Sequence, residues 1–108
     1  MPDTGFGGVT NVIRTVKDFE RAGVAGLFIE DQLFPKRCGH TAGKDVVSTE
    51  EMVPKLKAAL YSRTDEDLVI MGRTDALGVL GIEDAIARAN LYRQTGCDMV
   101  FVEAPETA

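Results

Sequence analysis

Three short apolar runs punctuate the chain: Gly26-Leu27-Phe28-Ile29, Leu68-Val69-Ile70-Met71 and Met99-Val100-Phe101-Val102. Each is continuous rather than alternating, the pattern of strands buried in a parallel sheet. The stretches between them carry helical periodicity. Over 11–22, Val12, Val16 and Phe19 recur at helical spacing, Ile13 widens the apolar face, and Gly23 stops the helix. Ser48-Thr49-Glu50-Glu51 reads as a capping box opening a second helix, with Met52, Leu56, Ala59 and Leu60 as its buried stripe. Pro54 removes a backbone donor there and is expected to bend the first turns. A third helix over 82–94 would turn Ile82, Ala85, Ile86 and Ala89 inward, with Glu83 and Asp84 at the positive end of its dipole. Gly96 ends it.

Strands and helices in alternation predict parallel β/α units with the sheet covered on both faces. A weak internal repeat supports this. Residues 22–30 and 95–103 each hold a helix-stopping glycine, a buried strand and a terminal glutamate, Glu30 or Glu103. Such repetition suits a (β/α)₈ barrel, whose functional side chains gather at the carboxyl ends of the strands. A closed barrel needs eight strands and about 250 residues. The expectation is therefore a single fragment, 1–108, of a TIM-type barrel: three parallel units, with the tail of a fourth strand before Asp3-Thr4-Gly5. That leaves open strand edges and an uncovered apolar face. The competing fold is a flavodoxin-like open sheet. It calls for a glycine-rich phosphate loop after an early strand, which residues 3–8 match poorly.

Composition narrows the function. Of the 108 residues 44% are hydrophobic, and the formal charge is −5, which argues against nucleic acid as a partner. No apolar run approaches the ~20 residues that cross a bilayer, and the start has neither region of a signal peptide. Two cysteines make no disulfide framework, so a reducing, cytoplasmic setting is expected, or a mitochondrial one in a eukaryote. Cys97 precedes a strand and reads as a small buried residue. Cys38 lies among Lys36, Arg37 and His40, where a thiolate is favoured.

The segment Phe34-Pro35-Lys36-Arg37-Cys38-Gly39-His40 joins a thiol, an imidazole and two cations. The cations would favour a carboxylate-rich substrate and lower the thiol pKa. Gly39 permits unusual torsions and close approach of a ligand. The connection from Asp31 to Val47 is longer than an ordinary βα loop, as active-site lids are. A solvated basic turn with an incidental cysteine is the plainer reading. Zinc is disfavoured, because Cys38 and His40 supply only two ligands.

Lys36-Arg37-Cys38-Gly39-His40 resembles the signature loop of the isocitrate lyase/phosphoenolpyruvate mutase superfamily, in its 2-methylisocitrate lyase branch. The resemblance continues through Asp3-Thr4-Gly5-Phe6-Gly7, Gly26-Leu27-Phe28-Ile29-Glu30-Asp31-Gln32, 69–76 and Phe101-Val102-Glu103-Ala104, four further stretches in the family's order. It implies Mg²⁺ held by Asp3, largely through water, and by Glu30. It also implies a 2-oxo acid bound by Arg73, with Gly39 and Glu103 lining the substrate pocket. Cys38 would be the catalytic thiol, with Lys36 and Arg37 as its charged neighbours and His40 as a catalytic residue that contacts a substrate carboxylate or belongs to the proton network. The implied reaction is retro-aldol cleavage of a 2-hydroxy tricarboxylate: 2-methylisocitrate, or a close analogue, giving pyruvate and succinate. The intact family enzyme is expected to be a homo-oligomer, a tetramer, acting on a small carboxylate. Departures exist. The family's first metal aspartate falls at Met1, and Pro54 stands where a helix-compatible residue is usual. Alternatives within the resemblance are a carboxyphosphonoenolpyruvate-type phosphonomutase and an inactive truncated member that only associates with other subunits.

Overall fold

The computed structural model describes residues 1–33 and 45–103. Its elements run α1 (Val9–Arg21), β1 (Gly26–Glu30), α2 (Thr49–Ser62), β2 (Val69–Thr74), α3 (Leu77–Leu80), α4 (Ile82–Thr95) and β3 (Met99–Val102). The strands form one sheet in the order β1-β2-β3, both pairs parallel. Sequential parallel strands joined through helices make the β/α units read from the sequence, as part of a TIM-type barrel. Glu30 amide donates to the Asp3 carbonyl (3.0 Å), so residue 3 runs beside the end of β1 where the tail of a further strand was expected.

The local signals act as written. Ser48 Oγ accepts from the Glu51 amide (3.2 Å), the first half of the capping box. Helix α2 continues through Pro54 to Ser62. Gly23 and Gly96 follow α1 and α4 with φ of 90° and 122°, a conformation that a side chain would strain. Helix α1 begins two residues before its expected start, and α3 had no sequence signal.

Among the described residues, the helices cover one face of the sheet, not two. Leu27, Ile29 and Ile70 form a single core with Val12, Val16, Met52, Leu56, Ala59, Tyr92 and Cys97. Gly72 shares that face: a Cβ there would lie 3.1 Å from Tyr92 Cβ and 3.3 Å from Cys97 Sγ, so α4 packs directly on backbone. The alternate residues Phe28, Met71, Met99 and Phe101 point to the other face and remain partly or largely exposed. A doubly wound sheet would carry helices on both sides. One-sided cover, with strand order following the chain, favours the barrel over the flavodoxin-like alternative.

The expected inward face of α4 needs correction. Ala85 is buried and Ala89 is half-buried, but Ile82 and Ile86 are 53% and 52% exposed. Arg88 and Tyr92 are buried in their place. The reason is polar: both reach Asp31, which lies at the end of β1 and has no exposed surface.

Candidate active site

The carboxyl ends of the three strands bring together Glu30, Arg73 and Glu103, the first and last of which the repeat predicted. Arg73 is the centre. Its Nε and Nη2 donate to Asp75 Oδ1 and Oδ2 at 3.1 and 3.0 Å, a two-bond fork. Nη1 lies 3.6 Å from Glu30 Oε2, and Nη2 lies 3.8 Å from Glu103 Oε2. The guanidinium also sits 5.5 Å from the ring centres of both Phe28 and Phe101, which stack on each other. Burial alone would lower the Arg73 pKa. Hydrogen bonding and charge from Asp75, then charge from Glu30 and Glu103, hold it above the ordinary arginine value. Arg73 is thus a fixed cation at an acidic edge. It pairs with both Asp75 and Glu103.

Gln32 ties the edge together. It is buried, and its Nε2 donates to Glu30 Oε1 (3.1 Å) and to Asp75 Oδ2 (3.3 Å). An antiparallel bridge between Gln32 and Val46, with Leu33 amide donating to Asp45 carbonyl (2.8 Å), brackets residues 34–44. Lys36, Arg37, Cys38, Gly39 and His40 lie outside the described residues.

A second buried cluster stands behind the first. Asp31 Oδ2 accepts from Tyr92 hydroxyl (2.6 Å) and Arg88 Nη1 (3.1 Å), while Arg88 also donates to Val47 carbonyl (2.7 Å) and Asp84 (2.8 Å). Burial, then the Asp31 charge and the hydrogen bond to it, push the Tyr92 phenol well up, so it stays a donor. Lys55, buried in α2, donates to the Thr4 carbonyl (2.9 Å) and fixes the segment carrying Asp3. The sequence reading passed over Asp31, Gln32, Lys55, Arg88 and Tyr92 as site-supporting residues. Arg88 and Tyr92 are one helical turn apart, and Lys55 falls at helical spacing from Met52 and Ala59, but the apolar residues around them outweighed that signal.

Cys97 behaves as the sequence suggested. It is fully buried, and burial, then the Asp98 charge, raises its thiol to about 11. Alkylation of the folded chain at pH 8.5, followed by peptide mass analysis, should leave Cys97 unmodified. The neutral thiol is the folded form, so this group's contribution to stability is complete below the ordinary thiol pKa of about 8.5 and falls as pH rises toward 11.

Residues 2–108 match the model of the phosphoenolpyruvate phosphomutase family. The chain belongs to that family. A 2-methylisocitrate lyase of Shewanella oneidensis is 56% identical over 102 residues, covering 94% of this chain and 35% of the relative. The crystal structure of a 2,3-dimethylmalate lyase, a member of the PEP mutase/isocitrate lyase superfamily, superposes with a TM-score of 0.92. It is 42% identical and covers 96% of this chain and 35% of that one. A phosphonopyruvate hydrolase structure in complex with oxalate and Mg²⁺ matches with a TM-score of 0.84 at 32% identity, covering 98% of this chain and 36% of that one. The chain spans about a third of the length of the curated relatives it matches.

The donor chemistry suits such a metal. Asp3 and Glu30 hang from hydrogen-bonded neighbouring backbones, and all their side-chain donors are oxygens. No group of three or more His, Cys, Asp or Glu that could cage a metal occurs among the described residues. Magnesium does not need one, since it keeps several waters and binds through one or two carboxylates.

Proposed function

We propose that these residues form part of a Mg²⁺-dependent carbon–carbon lyase cleaving a 2-hydroxy acid, 2-methylisocitrate or a close analogue such as 2,3-dimethylmalate. The observation that carries this is the Arg73 site: a permanent cation held by a carboxylate fork at the strand ends, ringed by acidic oxygens, in a chain similar to lyases of those substrates. Arg73 binds a substrate carboxylate through the edge of its guanidinium turned away from Asp75, where Glu30 and Glu103 lie beyond hydrogen-bond length. Asp3 and Glu30 would hold Mg²⁺, which would supply positive charge for the substrate's 2-oxygen as a base takes its proton and the carbon–carbon bond breaks. Cys38 delivers a proton to the carbanion-like dicarboxylate product, and Lys36 and Arg37 keep its thiol acidic. His40 contacts a substrate carboxylate, and Gly39 lets the backbone approach the ligand. Assembly as a homotetramer in the cytoplasm belongs to the same proposal.

The test is pyruvate release from 2-methylisocitrate by a family-length protein containing these residues, with and without Mg²⁺. Dimethylmalate, isocitrate, oxaloacetate and a phosphonate substrate run beside it. The expected result is metal-dependent cleavage, fastest with a methyl-bearing 2-hydroxy acid. Metal-dependent turnover of the phosphonate alone would replace the lyase with a phosphonomutase.

A further inference from the structure

We infer that Asp31 is the positioning residue that sets the Arg73 guanidinium. Three observations meet on this one buried side chain. Its amide donates to the Arg73 carbonyl (3.2 Å), and its Oδ1 accepts from the Asp75 amide (2.8 Å), so a single residue grips the backbone on both sides of Thr74. Asp75 in turn forks the Arg73 guanidinium through Oδ1 and Oδ2. The second oxygen, Oδ2, is held from α4 by Arg88 and Tyr92, which fixes the carboxylate plane and leaves Oδ1 aimed at Asp75.

The chain of contacts therefore runs from α4 through Asp31 and Asp75 to Arg73, and each link is a short, directional bond with a charged member. None of Asp31, Arg88 or Tyr92 needs to touch substrate. A second arm leaves the same centre: Val47 amide donates to the Asp31 carbonyl (2.8 Å), and Val47 carbonyl accepts from Arg88. Asp31 thus registers β2 and residue 47 on one point. The consequence for function rests on the proposal that Arg73 binds a substrate carboxylate.

Asp31→Asn tests it. An amide has one oxygen, so it can face Asp75 or the Arg88–Tyr92 pair but cannot accept from both. In an isotope-labelled family-length protein containing these residues, nuclear magnetic resonance would follow proton exchange at Arg73 Nε–H, with pyruvate affinity measured alongside. Asp31→Asn should speed Arg73 exchange and weaken pyruvate binding, each about tenfold, the loss of one bond to a charged group. Tyr92→Phe, which removes one bond to Oδ2 only, should leave Arg73 exchange unchanged. A merely structural role would loosen both variants alike, and equal acceleration overturns the inference. So does unchanged Arg73 exchange in folded Asp31→Asn. Faster exchange in a chain whose parent binds no pyruvate keeps the positioning role and overturns the function proposed for Arg73. Should Asp31→Asn fail to fold, Arg88→Lys replaces it. Lysine keeps the charge but cannot span Asp31, Val47 and Asp84, so Arg73 exchange should again rise, and unchanged exchange overturns the inference.

Discussion

Cys38→Ser, made in a family-length protein carrying this segment, is expected to cut lyase turnover by about 10²–10⁴-fold, the range that a general acid contributes. Serine fills nearly the same space, so binding of the 2-oxo acid at Arg73 should change little. The difference is acidity. An unperturbed thiol has a pKa of about 8.5, whereas a serine hydroxyl is a far weaker acid. The hydroxyl cannot readily give its proton to a departing carbanion. Steady-state rates with 2-methylisocitrate and pyruvate affinity by calorimetry separate the two effects. Turnover that survives within a few-fold would remove Cys38 from the acid role. Cys97→Ser is the contrasting case: its cost should appear in unfolding, because Cys97 is buried in the core against Gly72 and Tyr92.

The strand ends were legible because their signal is local. An apolar run followed by Glu30, Arg73 or Glu103 marks the point where a buried strand emerges, and parallel connection places all such points on one edge. Gly23 and Gly96 were legible for the same reason, since each sits at a helix end with a left-handed torsion. What escaped is non-local. The inward face of α4 was assigned to Ile82 and Ile86 on hydrophobicity, but the helix is rotated so that Arg88 and Tyr92 meet Asp31, 57 and 61 residues earlier. Hydrophobic periodicity gives no weight to a buried arginine, although one with three acceptors is satisfied in the interior. Gln32 escaped likewise: its value lies in bridging Glu30 to Asp75, 43 positions further along. The expected two-sided cover failed because continuous apolar runs report burial without saying what covers each face. The second face here is that of a barrel interior, lined by Phe28, Met71 and Phe101 and interrupted by Arg73.

Arg88→Met should be the most damaging substitution for stability, costing about 3–5 kcal/mol, the penalty for stranding one member of a buried ion pair. Methionine matches much of the arginine stem, so little volume is lost and the effect is electrostatic. Asp31 has no exposed surface, and the Arg88 side chain is 7% exposed. Without Arg88, the Asp31 carboxylate keeps the Asp75 amide and the Tyr92 hydroxyl as partners but has no opposing charge. The Val47 carbonyl loses its guanidinium donor at the same time. Native proteins have a stability of only about 5–15 kcal/mol, so in a family-length protein the loss would show as a large shift in the urea midpoint. A double-mutant cycle identifies the cause. Adding Asp31→Asn removes the stranded charge, so the double variant should be clearly more stable than the sum of the single losses predicts. Additive losses would mean that the pair contributes as two separate packing residues, and that α4 is held to the sheet by its apolar contacts alone.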